Sequence, residues 1–399
     1  MPWKETQPMH ERVRFVVAHQ SGLYSMSELC KAYGVSRKSG YKWVARWTAE
    51  GISGLEERSR APHRSPRILD PIVQEAILQA RRDHPSWGPV KLLPYLKRHN
   101  PQLSDRLPAL STAGELLKRC GLVEPRKRRS RSSHPGAGSL QADVPNDVWC
   151  ADFKGEFRTQ DNVLCYPLTV TDANSRFLLA CHGLSSTSSQ DAQKVFERLF
   201  REVGLPAAIR SDNGCPFCSR ALSGLSRLSV WWLKLGIEHQ RIQPGNPQQN
   251  GRHERMHRTL KAETLRPPEA DGLKQQIRFD SFREEYNEVR PHQALNNETP
   301  SSVWTPSQRQ MPPSLPQPQY DGHLQVRSVR SNGFIRFKGK AWFVSELLVK
   351  ERIGLEETDD GIWSLFFYNK LLAKLDQAAN KIIPIEHNRA KQRTDNKVA

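Results

Sequence analysis

The residues Ile209-Arg210-Ser211-Asp212-Asn213-Gly214 and, further on, Pro247-Gln248-Gln249-Asn250-Gly251-Arg252-His253-Glu254-Arg255 decide how this chain is read. The first stretch is a short apolar run that ends in an acid and a turn. A buried strand presents a carboxylate at its C-terminal edge in this way before the chain reverses. The second is a Pro/Gln/Asn/Gly loop opening a helix, with Glu254 in its first turns. Upstream, Val148-Trp149-Cys150-Ala151-Asp152-Phe153-Lys154-Gly155-Glu156-Phe157 reads as a strand with Asp152 at its middle.

Asp152 and Asp212 lie 60 residues apart, and Asp212 and Glu254 lie 42 apart. Two acids on neighbouring strands and a third on a helix can converge at one sheet edge. Such a set is a hard, all-oxygen site suited to Mg²⁺ or Mn²⁺. Two ions there, ~3.5–4 Å apart, can clamp the attacking and leaving oxygens of an in-line phosphoryl displacement. Other acids compete. Asp172 sits in a turn after the second strand. Glu156 lies further along the first strand. Glu263 lies nine residues past Glu254, which at ~100° per residue puts it on the opposite side of the helix.

Together the strand acid Asp152, the Ser211-Asp212-Asn213-Gly214 turn and the Pro247-Gln248-Gln249-Asn250-Gly251-x-x-Glu254 loop-helix resemble the integrase catalytic core. The resemblance is to DDE transposases of bacterial insertion sequences, a group that includes retroviral integrases. Tyr286-Asn287-Glu288-Val289-Arg290-Pro291-His292-Gln293-Ala294-Leu295 is similar to the segment that follows the core in the insertion-sequence members. The core resemblance runs from about Pro145 to Thr305. It implies a ribonuclease-H-like α/β fold, where composition alone says only α/β. It also implies that Asp152, Asp212 and Glu254 are the catalytic metal ligands, holding two Mg²⁺ (or Mn²⁺) ions. Asn250, Arg258 and Lys261 are expected to contact DNA. Arg258 and Lys261 lie four and seven residues past Glu254, on its helix face.

The rest of the chain agrees with a nucleic-acid enzyme. The formal net charge is +18 over 399 residues, a field that favours a polyanion. No apolar run is long enough to span a membrane, and the charged N-terminus lacks a signal core. Seven dispersed cysteines suggest reduced thiols and not a disulfide framework. A cytoplasmic, nucleoid-associated protein is expected.

Two helical units precede the core. Ser25-Met26-Ser27-Glu28 is a capping-box pattern, Gly34-Val35 a tight turn, and Ser36 caps a second helix. Helix, turn and helix make a DNA-reading motif. Ser36, Arg37, Lys38, Lys42 and Arg46 are its expected DNA contacts, while Tyr41, Trp43, Val44 and Trp47 fit a core stripe. A second helix-turn-helix is expected after Asp70, with Ser111, Thr112, Lys118 and Arg119 on its reading helix; Pro94 weakens that pattern. Arg126, Lys127, Arg128 and Arg129 form a basic linker that binds phosphate without sequence preference. Beyond the core, Val326 to Leu375 alternates apolar runs with Gly, Asn and Asp turns, a small β-barrel or meander.

The expected organisation is thus 1–60 helix-turn-helix, 67–125 second helix-turn-helix or winged-helix-like unit, 126–144 linker, 145–306 integrase core, 321–378 small β-domain and 379–399 basic tail. The function expected is a transposase that binds terminal inverted repeats, cleaves DNA and joins the freed 3′-hydroxyl to target DNA. Its partners are double-stranded DNA and further copies of itself. Two other readings compete. One is a DNA-binding regulator with an inactive core. The other takes His253-Glu254-Arg255-Met256-His257 literally as H-E-x-x-H, a zinc-peptidase motif.

Overall fold

The computed structural model describes residues 8–58, 69–123, 142–219, 221–243 and 250–385. The linker cations Arg126 to Arg129 and the tail from 386 lie outside the described residues. The chain divides into two compact units, 1–68 and 69–399.

The first unit holds α1 (Pro8–Gln20), α2 (Met26–Ala32) and α3 (Arg37–Glu50). Ser25 and Glu28 cap α2 reciprocally, and Ser36 caps α3 by accepting from the Ser39 amide. Gly34 supplies the left-handed residue of the intervening turn, at φ 66°. The helices close over Phe15, Val16, Met26, Leu29, Cys30 and Leu55. Gly40 is the one wholly buried residue of α3. A Cβ there would stand 2.7 Å from Cys30 Sγ, so α3 crosses α2 on a residue without a side chain. Tyr41 departs from the expected core stripe and faces solvent.

The second unit begins with α4 (Pro71–Asp83), α5 (Pro89–His99) and α6 (Leu110–Arg119). Asp70 caps α4 through the Ile72 amide, with Pro71 at the first helical position. Pro94 does not break α5, which runs through it. Val73, Ile77, Trp87, Leu92, Leu96 and Leu116 make a closed apolar centre.

The catalytic-core region is a mixed sheet with helices on both faces. Its strands are β1 (Val148–Phe153), β2 (Phe157–Arg158), β3 (Leu164–Asp172), β4 (Leu178–Leu184), β5 (Ala208–Ser211) and β6 (Glu238–Arg241). The long path runs β4-β3-β1-β5-β6, antiparallel across the first three and parallel across the last three; β2 pairs the start of β3. The expected first strand, continuous to Phe157, breaks instead after Phe153, where Gly155 takes φ 93°. Asp152 is therefore at the strand's end and not its middle.

Side chains alternate across the sheet. Trp149 and Ala151 of β1 with Leu168 and Val170 of β3 face α7 (Ser189–Val203) and α8 (Arg227–Lys234). The expected α8 from Arg220 is shorter, because Ser226 caps it through a reciprocal pair with Ser229. Opposite lie α9 (Gly251–Thr264) and α10 (Gly272–Glu284), packed on Cys165, Leu178 and Cys181. A five-residue π turn, Glu285–Val289, replaces the last expected turn of α10, and a short α11 (Pro300–Val303) follows.

The C-terminal region is β-rich. β7 (Gln325–Ser328), β8 (Phe334–Phe337), β9 (Lys340–Phe343), β10 (Arg352–Asp359), β11 (Ile362–Phe367), β12 (Lys370–Asp376) and β13 (Lys381–Pro384) follow in order. Five of them form a sheet in the order β13-β12-β11-β10-β7, and β8-β9 is a separate hairpin. Among the described residues no pairing closes the sheet, so the expected barrel is an open sheet with a hairpin. Both share one apolar centre with Leu225, Val230 and Leu233 at α8.

Candidate active site

Strand register explains why two acids so far apart in the chain meet. β1 and β5 are parallel, with Val148 opposite Ala208 and Ala151 opposite Ser211. The same pairing carried one residue further sets Asp152 beside Asp212, at the C-terminal edge of both strands. Asp212 Oδ1 accepts from the Gly214 amide at 3.1 Å, so the Asn-Gly turn also orients its carboxylate. Glu254 stands exposed in the first turn of α9. Its charge and that of Asp212 both act on Asp152. Burial first, then Asp212, pushes the Asp152 carboxyl up to about 7, with Glu254 adding in the same direction. Asp212 is raised by burial as well. Two carboxylates that raise the proton affinity of a third make an all-oxygen set that a hard divalent cation would suit, since it would offset their repulsion.

The even-numbered side of β1 faces α9. Asp152 is the cross-strand partner of Thr169, and both meet the buried face of that helix. Thr169 Oγ1 donates to the Asp152 carbonyl at 3.1 Å and lies 2.7 Å from Nε2 of both His253 and His257. A hydroxyl has one proton, so with its own spent on the carbonyl it accepts from both rings. Thr171 Oγ1 then donates to His253 Nδ1 at 3.0 Å. Burial keeps both rings neutral, down to about 3 for His253 and about 2 for His257.

That arrangement speaks to the H-E-x-x-H reading. Asp152, His253 and His257 offer ligand atoms within 4.8 Å of one another. Yet both Nε2 atoms are committed to Thr169, and one Nδ1 to Thr171. Only His257 Nδ1 remains, 3.8 Å from Asp152 Oδ2. Glu254 lies on the exposed side of the helix, away from the histidine pair. The two histidines brace a strand end and are not arranged as a paired metal clamp.

The competing acids have other partners. Asp172 accepts from the Asn146 and Ser175 amides and the Ser175 hydroxyl, a turn-forming role. Glu263 is paired with Arg290 at 3.0 Å, on the far side of α9 from Glu254.

The expected DNA contacts fall into groups. Asn250 is buried and its amide reaches Asp152 Oδ2 at 3.3 Å, so it contacts an acid and not open solvent. Arg258 and Lys261 are exposed. Lys261 acts on Lys154, whose pKa burial lowers first and Lys261 lowers further, so two cations flank the acids. Arg37 and Lys38 open α3 on its exposed side. Lys42 and Arg46 lean over the Trp43 ring, 4.1 and 5.2 Å from its centroid, and Arg12 lies 4.1 Å from it. Ser36 is the α3 cap, so its hydroxyl is occupied. Ser111, Thr112 and Lys118 are exposed on α6.

Sequence reading missed three residues. Thr169 carries no motif, and only the cross-strand register reveals it. Asn287 holds the end of β4 by accepting from the Leu178 amide at 2.8 Å and donating to its carbonyl at 3.0 Å. Arg290 is almost wholly buried against Glu263 and Trp87. The last two belong to the quoted Tyr286–Leu295 segment, whose sequence signalled importance but not role.

Two acids at one sheet edge, a third on a helix and flanking lysines lie in a region that matches a polynucleotidyl-transferase-type integrase core. Residues 142–247 and 235–300 match the integrase core domain; 11–63 match a helix-turn-helix domain and 39–107 a homeodomain-like domain; 324–383 match the C-terminal domain of IS481-family transposases. These matches make the chain similar to insertion-sequence transposases of the integrase family. It is 31% identical over 199 residues to a protein of insertion element IS407 from Burkholderia multivorans, covering 47% of this chain and 65% of that protein. It is 30% identical over 183 residues to one of insertion element IS476 from Xanthomonas euvesicatoria, covering 44% and 50%. The chain thus spans about half to two-thirds of these relatives. Among solved structures, the HTLV-2 integrase catalytic core domain in complex with magnesium is 16% identical, covers 41% of this chain and 99% of its own, and gives a TM-score of 0.33.

Proposed function

We propose that the chain is a DNA transposase whose core cleaves DNA at element ends and joins the freed 3′-hydroxyl to target DNA. What supports this reading is the pairing of β1 with β5, which puts Asp152 and Asp212 at one strand edge, and the rise in Asp152 proton affinity caused by both Asp212 and Glu254. In this reading the three carboxylates are the metal ligands. Two Mg²⁺ or Mn²⁺ ions held there would polarise the phosphate and lower the pKa of the attacking water or hydroxyl. Asp152 and Asp212 hold fixed positions because strands and turn fix them. Glu254 closes the site from the helix. Lys154, Lys261 and Arg258 neutralise phosphates on the entering strand. Asn250 holds the Asp152 carboxylate.

The helical units at 1–60 and 67–125 read the terminal inverted repeats, the first through Arg37 and Lys38, the second through Ser111, Thr112 and Lys118. The 126–144 linker adds non-specific phosphate contact, the 145–306 core does the chemistry, and the β-rich 321–378 region, an open sheet with a hairpin that shares an apolar centre with α8, makes a DNA or subunit contact. Joining two ends needs at least two copies of the chain. A cytoplasmic, nucleoid-associated location follows from that work. A strand-transfer assay with Mg²⁺ and the DNA ends flanking the gene tests the reading. Retained joining by Asp212→Asn overturns it.

A further inference from the structure

The second helical unit does not stand apart from the core; it is bolted to one end of the helix that carries Glu254. Ser86 Oγ donates to Glu263 Oε1 at 2.6 Å, and Arg290 donates to the same oxygen at 3.0 Å. The Arg290 guanidinium lies 5.7 Å from the Trp87 ring centroid. His84 Nδ1 lies 2.9 Å from Glu285 Oε1, in the π turn, and stacks its own ring on Trp87. At the far side of the same face Arg98 donates to Glu298 at 3.0 Å and to the Asn297 carbonyl at 3.2 Å.

Glu254 and Glu263 are nine residues apart on α9, or ~13.5 Å at 1.5 Å per residue. They lie on different sides, one toward the acids and one toward the helical unit. A single rigid helix therefore spans the distance between the candidate reacting groups and the unit whose exposed α6 residues would hold DNA. The quoted segment around Tyr286 is itself held at two points: Arg290 pairs with Glu263 of α9 and lies beside Trp87 of the helical unit, and Asn287 bonds Leu178 of β4.

We propose that this junction measures distance: it fixes which phosphodiester of a bound DNA end reaches Asp152, Asp212 and Glu254. The inference rests on the strand-transfer reading above, and makes His84, Ser86, Arg98, Glu263 and Arg290 positioning residues. None of them touches the reacting atoms. Loosening the junction should spread cutting over neighbouring phosphates while the chemistry at each remains intact.

The test replaces His84, Ser86 and Arg98 together by Ala. Ser86 and Arg98 are exposed, whereas His84 is half-buried and stacks on Trp87, so melting the variant checks that the fold is retained, and Ser86→Ala with Arg98→Ala alone should give the same spread in smaller degree. The substrate is a labelled duplex spanning one boundary of the element that encodes the chain, with cut positions read by sequencing. The unmodified chain should cut at one position. In the variant the ratio of main-site to neighbouring-site product should fall about tenfold, in line with the sensitivity of positioned reactions to small displacements. Mg²⁺-dependent nicking of unrelated plasmid, which needs no end recognition, should be unchanged. Arg290→Lys, which keeps the charge but loses the fork, should give an intermediate spread. A single unchanged cut site in the triple variant overturns the proposal and leaves the strand-transfer reading standing. No nicking of any DNA by the unmodified chain overturns both.

Discussion

The two faces of α9 are built from the same fourteen residues and do opposite things. One face holds His253, Met256, His257 and Leu260, buried, with three of the four histidine nitrogens hydrogen-bonded to Thr169 and Thr171. The other holds Glu254, Arg258 and Lys261, charged and open. A histidine pair beside a glutamate would ordinarily suggest metal chemistry. Here Thr169 accepts from both Nε2–H groups and Thr171 donates to His253 Nδ1, so of the four ring nitrogens only His257 Nδ1 keeps a free lone pair. The difference teaches that ligand capacity is decided by what each nitrogen already does, not by residue type and spacing.

The strongest way to break this contrast is to neutralise the acids. Asp152→Asn, Asp212→Asn and Glu254→Gln should each lower DNA cleavage at least about a hundredfold, the scale for losing one preorganised electrostatic group. Binding of end DNA should persist, because it resides in the helical units. Cleavage by Asp152→Asn at the unmodified rate would show that the open face is not the reacting one.

The buried face predicts a different loss. His257→Ala leaves the Thr169 hydroxyl short of a donor and opens space beneath β1. It should cost ~1–3 kcal/mol in denaturant unfolding, with cleavage still dependent on Mg²⁺ and indifferent to zinc. Activity that tracks zinc occupancy would instead restore the histidine pair as ligands.

Acid titration sharpens the same point. His253, His257 and His292 are held below their usual pKa by burial, to about 3, 2 and 3. Between those values and the unfolded ~6.5, the unfolded chain binds more protons, so stability is present above ~6.5 and is lost as pH falls. Asp152, raised to about 7, works the other way between ~3.9 and 7, and Asp212 and Asp172 are raised in the same direction, but between pH 6.5 and 5 the three histidines should outweigh them. The unfolding midpoint should therefore drop from pH 6.5 toward 5, and drop less in His257→Asn. A midpoint flat across that range would mean the rings are not desolvated.

The smallest expected effect is at the cations. Lys261→Ala and Arg258→Ala should weaken DNA binding only a few-fold each and reduce the salt slope by about one per lost phosphate contact. Filter binding across a salt series decides this. An unchanged slope in the double variant would remove both residues from the DNA path.

The three acids were legible in the sequence because short-range chemistry marks each: a strand end, an Asn-Gly turn and a loop-to-helix start. Helix caps at Ser25 and Ser36 were legible for the same reason. What lay hidden depends on contacts across the fold. Thr169 is visible only once β1 and β3 are in register. Arg290 and Glu263 pair across 27 residues. Tyr41 was misplaced because a helical stripe in a small three-helix unit is narrower than its apolar residues suggest. The break after Phe153 followed Gly155, which a pattern of alternating residues does not weigh.

The parallel pairing of β1 with β5 has one more consequence, for how such a chain tolerates change in length. Asp152 and Asp212 are neighbours because Asp152 is the next-to-last residue of β1 and Asp212 the first residue past β5, not because of the segment joining them. Insertions in the exposed turns between them, such as around Asn162, leave the pair together. A single residue added inside Ala208–Ser211 slips the strand by one and turns Asp212 to the other side of the sheet. The acid-bearing edge is thus permissive to gain or loss across tens of residues and intolerant across four.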